Sequence, residues 1–167
     1  LDALTKEGIS FTKCFSSGDR SEKGLTSLFT GFPSLPIGSI LEYPEKAAAL
    51  PNILREFKDA GYQTGFICGS DLSFANMRSL LYNGGIDVIK EKKHYKTNYP
   101  ESKWGYHDAY VFDESIRDLK LVTQPFFYTV YSISSHDPFK IPVTSAYTGI
   151  NGDFYTAIRY TDSCLGV

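Results

Sequence analysis

Phe126-Phe127-Tyr128-Thr129-Val130-Tyr131-Ser132-Ile133 is the most apolar run in the chain, and its reading decides the fold. A short run rich in aromatic and β-branched side chains suits a strand better than a helix. Its near-continuous apolarity places the strand in the centre of a sheet covered on both faces. Upstream, residues 63–68 (Q-T-G-F-I-C) read as another strand and residues 86–89 as a short one. Helical patterns alternate with them. Residues 50–60 carry Pro51 in the first turn, a buried stripe of Ile53, Leu54 and Phe57, and Gly61 as the stop. Residues 74–82 form an amphipathic helix ended by Gly84-Gly85, and residues 107–119 form another. Residues 153–165 form a last helix with Asp153 as its N-cap, after a loop at 137–151.

The N-terminal part extends the alternation. Residues 1–8 read as a helix end stopped by Gly8, and residues 9–15 (I-S-F-T-K-C-F) alternate like a half-buried strand. A polar loop at 16–20 leads into a helix at 21–30 with Ser21 near its N-terminus and Glu22 in its first turn. Residues 31–43, with Pro33 and Pro36, are an irregular loop, and the basic stretch 90–103 is a surface excursion. Strands alternating with helices predict parallel β-α-β units in an α/β fold, a layered sandwich with helices around a mostly parallel sheet. No internal repeat or domain boundary interrupts the pattern.

The 167 residues are enough for one sizeable core, and the 42% hydrophobic share, with 12 Tyr and 12 Phe, argues against disorder. With 17 Lys and Arg against 19 Asp and Glu, the formal charge is −2, which gives no electrostatic case for nucleic acid or an anionic membrane as main partner. Cys14, Cys68 and Cys164 match no zinc or C-x-x-C spacing and read as free thiols or one incidental disulfide. No apolar run approaches the ~20 residues of a membrane span. The only Met is Met77 and the first residue is Leu1, so the chain reads as a piece of a longer protein, truncated at both ends.

Four segments could carry chemistry. In Gly18-Asp19-Arg20-Ser21-Glu22-Lys23-Gly24, a hydroxyl opens a helix whose free N–H groups and positive field suit an anion, with Arg20 and Lys23 flanking it. Ser21 is equally an ordinary N-cap. Ser134-Ser135-His136-Asp137 follows the most apolar strand, where ligands of open α/β sheets sit, so His136 could donate to an oxyanion or cap local structure. Trp104, beside Gly105, could stack on a ligand or pack on the core. Gly69-Ser70-Asp71 with Phe74-Ala75-Asn76 forms a polar loop at another strand end, where Asp71 could simply cap a helix, and His94 reads as a solvated surface residue.

In order along the chain, LDALTKEGISFT, GDRSEKGLTSLFTGFPSLP, LREFKDAGYQTGF, SFANM, KWGYHDAYVFDE, PFFYTVYSISSHDPF and AIRYTDSCLG resemble the lipoteichoic acid synthase, or phosphoglycerol transferase, branch of the sulfatase and alkaline phosphatase superfamily. The resemblance implies that residues 1–167 are part of a single extracytoplasmic sulfatase-like catalytic domain in a membrane-anchored parent. It implies a divalent metal, manganese first among candidates, and a phospholipid head group or another phosphate or sulfate ester as substrate. By the same resemblance Ser21 is the nucleophile and a metal ligand. His136 contacts the substrate phosphate, Arg20 aligns with a basic residue beside the nucleophile, and Trp104 and Asn76 line a glycerol phosphate pocket. The implied activity is metal-dependent phosphoglycerol transfer, with ester hydrolysis by the same superfamily as the alternative. Neither Cys14 nor Ser21 sits in the C/S-x-P-x-R motif of formylglycine sulfatases. The family's other metal ligands would lie before Leu1 and beyond Val167, so the resemblance implies that this piece is inactive alone. A third reading is a non-catalytic sugar- or lipid-head-group-binding module using Trp104, Tyr106 and neighbouring tyrosines.

Overall fold

The computed structural model describes residues 2–95, 98–144, 147–149 and 151–166. Leu1 and Val167, and residues 96, 97, 145, 146 and 150 of the two loops expected at 90–103 and 137–151, lie outside the described residues. The helices are α1 (Ser21–Thr30), α2 (Pro44–Ala48), α3 (Ile53–Asp59), α4 (Met77–Asn83), α5 (Asp108–Leu119) and α6 (Gly152–Leu165). The strands are β1 (Gln63–Cys68), β2 (Val88–Lys90), β3 (Glu101–Ser102), β4 (Gly105–Tyr106) and β5 (Phe126–Tyr131).

The main sheet has the order β2-β1-β5 and is parallel throughout. Successive side chains of β1 point to opposite faces. Phe66 joins Leu25, Phe29, Leu54 and Leu80 on the side of α1, α3 and α4. Ile67 joins Val111 of α5, with Tyr95 and Tyr106, on the other. The result is the expected layered α/β arrangement. Its β2-β1-β5 order and the opposite placement of α4 and α5 make the C-terminal edge of β1 a switch point, where ligands of such sheets bind.

The central strand is β1, however, not the more apolar β5. Residues 64–68 are all buried, whereas β5 is half-buried and Phe126 is 46% exposed. Gly65 pairs with Tyr128 in register, and a Cβ on Gly65 would lie 2.3 Å from the Tyr128 ring. The Tyr128 ring therefore covers Gly65 on one face, while Phe127 on the other stacks on Phe57 of α3 at 4.1 Å.

Two N-terminal expectations are corrected. Residues 9–15 form no strand: Ile9, Phe11 and Phe15 are 87%, 78% and 87% exposed. Alternation makes a half-buried strand only where a neighbouring strand and a core receive it. The helix end expected at 1–8 is a single 3-10 turn, Leu4–Lys6.

Other boundaries shift for local reasons. In α3 the cap is Asn52, whose Oδ1 accepts from the Leu54 N–H at 3.0 Å, so Pro51 precedes the helix and Ile53 stays exposed. The 74–82 helix breaks at Ala75 and Asn76, both at positive φ, and α4 begins at Met77. Asp153 lies in the first turn of α6, behind the cap residue Asn151. The basic stretch is not purely a surface excursion, because Glu91 and Tyr95 are buried.

Candidate active site

All three strands of the main sheet end at one edge, and the residues that follow them meet there. Ser70 and Asp71 follow β1, Lys92 follows β2, and Tyr131, Ile133 and His136 come from the end of β5 and beyond it. Together with Ser21, Phe74, Lys103 and Trp104 they line a cleft of about 570 Å³. A neighbouring lobe of about 690 Å³ shares Ser21, Phe74, Trp104, Tyr131 and His136, and adds Arg20 on its rim.

Ser21 is the first residue of α1, and its neighbour Arg20 holds the cap position in extended conformation without a side-chain cap bond. The capping alternative for Ser21 therefore fails. Its Oγ instead accepts a 2.8 Å hydrogen bond from the Tyr131 phenol, across 110 residues of chain. The first turn of α1 lines the same lobe, and the helix N-terminus contributes a positive field there. The preceding loop lies tight on the helix, since a Cβ on Gly18 would fall 2.6 Å from Lys23 Cβ.

Trp104 occupies the tip of the two-residue loop between β3 and β4. Two glycines make that placement possible. A Cβ on Gly105, which sits at φ +138, would lie 2.1 Å from the Gly69 carbonyl oxygen. A Cβ on Gly69 would lie 2.3 Å from the Tyr106 carbonyl oxygen. The hairpin thus docks backbone-to-backbone on the loop after β1, and Trp104 projects into the cleft. Its ring lies 4.3 Å from the His136 ring, centroid to centroid, and 6.5 Å from Phe74 edge-on.

Trp104 Nε1 donates to the Asp137 carbonyl at 2.6 Å, and His136 Nδ1 lies 2.9 Å from the same oxygen. A carbonyl only accepts, so Nδ1 holds the proton in this contact and Nε2 is the nitrogen left for a ligand.

Buried carboxylates support two walls. Asp108 Oδ1 accepts from the Ile133 N–H at 2.8 Å and the Ser134 N–H at 3.2 Å, and Oδ2 accepts from Thr161 at 2.7 Å. This ties the turn carrying His136 to α5 and α6. Glu91 Oε2 accepts from the Leu72 N–H at 2.9 Å and from Arg78 at 2.8 Å. Burial pushes the Glu91 carboxyl up, but Arg78, the Leu72 N–H and Lys93 outweigh it and hold it below its usual value. Burial also holds the His107 imidazole below its ordinary range, although the adjacent Asp108 pulls the other way. Cys68, at the end of β1, is an inert thiol, pushed up to about 11 by burial.

The structure brings Ser21, Arg20, Trp104 and His136 together. It does not bring Lys23 or Asn76. Lys23 lies two residues after Ser21, about 200° around the helix, and its Nζ pairs with Asp19 at 3.0 Å. Asn76 Nδ2 donates to the Leu41 carbonyl at 3.1 Å, which turns its amide away from the cleft. Tyr106 is buried in the second core cluster and is no contact surface. Asp71 accepts from the Ser73 N–H at 2.8 Å rather than capping α4. Sequence reasoning missed Tyr131, hidden inside an apolar run. The signal was its place at the C-terminal end of a parallel strand.

Among the described residues no cluster of three or more His, Cys, Asp or Glu side chains could hold a metal. Ser21 offers a single oxygen. The residues present therefore do not by themselves fit the divalent ion that the resemblance implies.

The Sulfatase family model matches residues 1–166. This chain belongs to the Sulfatase family. Among curated relatives, Phosphoglycerol transferase I of Xanthomonas campestris pv. campestris (strain B100) is 35% identical over 88 residues, covering 48% of this chain and 12% of the relative. Phosphoglycerol transferase I of Salmonella arizonae is 27% identical over 153 residues, covering 83% of this chain and 20% of the relative.

Solved structures agree on the fold of this Sulfatase-family chain. An alkaline phosphatase superfamily protein from Vibrio parahaemolyticus matches with TM-score 0.81 at 29% identity, over 93% of this chain and 40% of that one. The lipoteichoic acid synthase LtaP of Listeria monocytogenes matches with TM-score 0.78 at 20% identity, over 91% and 40%. The C-terminal periplasmic domain of EcEptC from Escherichia coli, solved in complex with Zn, matches with TM-score 0.65 at 17% identity, over 98% and 49%. The α/β expectation and the resemblance to the lipoteichoic acid synthase branch both hold. No helix among the described residues is long and apolar enough to cross a membrane.

Proposed function

We propose that this Sulfatase-family chain carries the nucleophile and phosphate-binding part of a phosphoglycerol transferase. The observation that carries the reading is the Ser21 hydroxyl. It opens a helix, is released from capping, and shares a cleft with His136, Trp104 and Arg20. The phosphoglycerol transferases among the relatives support the choice of group.

In this reading the phosphodiester of a phospholipid head group lies in the cleft at the N-terminus of α1. Arg20 and the helix N–H groups bind phosphoryl oxygens, and His136 Nε2 donates to one of them when protonated. Trp104 and Phe74 cover the glycerol moiety and exclude water from it. Ser21 Oγ accepts the phosphoglyceryl group and an alcohol then takes it away.

The reading also places residues 1–167 in one catalytic domain outside the cytoplasm, in a membrane-anchored parent. It includes dependence on a divalent metal, with manganese as the ion to test. Among the described residues no group of three or more His, Cys, Asp or Glu side chains could hold that ion.

The test uses the full-length protein with a phosphoglycerol lipid or a chromogenic phosphodiester, with and without added Mn²⁺. Ser21→Ala should abolish turnover, and product analysis with and without an alcohol acceptor separates transfer from hydrolysis. Undiminished turnover by Ser21→Ala sinks the assignment. Retained binding with no turnover in either form favours a non-catalytic head-group module.

A further inference from the structure

Among the described residues, Tyr131 is the hydrogen-bond partner of the Ser21 hydroxyl, at 2.8 Å. It is the last residue of β5, and strand alternation turns its side chain to the face covered by α1. Its ring rests 6.1 Å from Phe66, a fully buried residue, so the phenol is held in place by the core rather than by solvent-exposed loops. Tyr131 and Ser21 line both lobes of the cleft. Nothing in the capping or packing of α1 requires a hydroxyl on either residue.

We propose that Tyr131 is a positioning residue for the Ser21 nucleophile. The inference rests on the phosphoryl-transfer reading above. By donating to one lone pair of Oγ, the phenol fixes the serine rotamer, and the Ser21 O–H and the remaining lone pair face the cleft. In the first half-reaction the Oγ–phosphorus bond forms and the bond from phosphorus to the lipid alcohol breaks. The Ser21 proton ends on the departing alcohol. In the second, the acceptor oxygen bonds to phosphorus, the Oγ–phosphorus bond breaks, and the acceptor's proton returns to Oγ. The Tyr131 proton stays on its phenol throughout.

A hydrogen bond to a neutral hydroxyl is ordinary, but a bond to an oxygen gaining negative charge is roughly twice as strong. The Tyr131 contact therefore strengthens where Oγ carries charge, and it should act on kcat more than on KM.

The experiment compares full-length wild type, Tyr131→Phe, Tyr131→Leu, Ser21→Ala and Ser21→Ala/Tyr131→Phe on a chromogenic phosphodiester. Each is first checked by thermal melting and compared at a temperature where all are folded. Tyr131→Phe keeps the ring on Phe66 and should lower kcat about 10- to 100-fold with KM within about 2-fold, on the scale of losing one hydrogen bond to an oxygen that gains charge. The phosphoglyceryl adduct on Ser21, read by intact mass after quenching, should form correspondingly more slowly. The double variant should lose no more than Ser21→Ala alone, because the two hydroxyls act as a unit.

Wild-type kcat in Tyr131→Phe overturns the proposal while leaving the function reading intact. So does a loss confined to Tyr131→Leu, which marks a packing role. Full turnover by Ser21→Ala overturns both.

Discussion

The cleft has two kinds of polar group, and they are held differently. Asp108 and Glu91 are almost fully buried, and every contact they make is to this chain's own backbone and side chains. Ser21, Arg20 and His136 stand at the mouth, where, among the described residues, Ser21 bonds Tyr131 and His136 has a nitrogen to spare. A buried carboxylate whose two oxygens both have protein partners is scaffolding, because releasing it leaves orphaned donors in the core. A polar group with valence left over at a cleft is available for a ligand. Charge alone does not separate the two kinds.

The largest effect should come from the scaffolding side. Asp108→Ala strands the Ile133 and Ser134 N–H groups and the Thr161 hydroxyl, and should cost about 3–5 kcal/mol in urea unfolding. Ser21→Ala should cost no more than about 1 kcal/mol in the same assay, since only one hydrogen bond is lost. Equal costs would erase the distinction between the two groups.

Next comes the hairpin that presents the aromatic wall. Gly105→Ala forces a Cβ into the Gly69 carbonyl at a φ of +138, and should cost about 2–4 kcal/mol. Trp104 is the only Trp in the chain, so its fluorescence reports whether the tip has left the His136 ring. An unchanged emission spectrum in this variant would mean that the glycine contact does not place the Trp.

Acid should act in two windows. His107 is held below its ordinary value of 6.5, so the unfolded chain takes up its proton first. Stability should decline as pH falls through 6.5 and level off below the folded value. Glu91 is held below 4.5, so its contribution is complete above 4.5 and is lost as pH falls through its lower folded value. His107→Asn should remove the first window and leave the second. A denaturation series that shows one acid transition in both proteins goes against this assignment.

The smallest effect separates two neighbouring cations. Arg20→Ala in the full-length protein should raise KM about 10-fold, the scale of one charge-assisted contact. Lys23→Ala should change it by less than about 2-fold, because the Lys23 ammonium is already paired with Asp19 at 3.0 Å and does not line the lobe. Equal changes would return Lys23 to the binding site.

Much of this was legible in the sequence because local chemistry decides it. The bounds of α1 were read correctly, with Gly31 at φ +70 closing the helix. Strand β1 was also read to the residue, since a Gly-Tyr turn and a following Gly-Ser loop bracket it. Trp104 and His136 stand out in two separate segments of the sequence, and the fold places their rings together. The failures are also instructive. Asn76 is placed in the pocket by the resemblance and Lys23 by its nearness to Ser21, but the Asn76 amide bonds Leu41 and Lys23 pairs with Asp19. Residues 9–15 have a strand's alternation but no neighbouring strand to receive it.

The sequence by itself determined the α/β alternation, the family resemblance and the hydroxyl at the start of α1. Those follow from periodicity, turn residues and ordered motifs, all readable within a few residues. Only the tertiary structure decided that β1 is central, that two buried carboxylates brace the cleft, and that Tyr131 reaches Ser21. Each of these joins residues far apart in the chain, and the joining depends on which face a strand turns and which small residue lets two backbones meet. Neither is visible until the layers are packed.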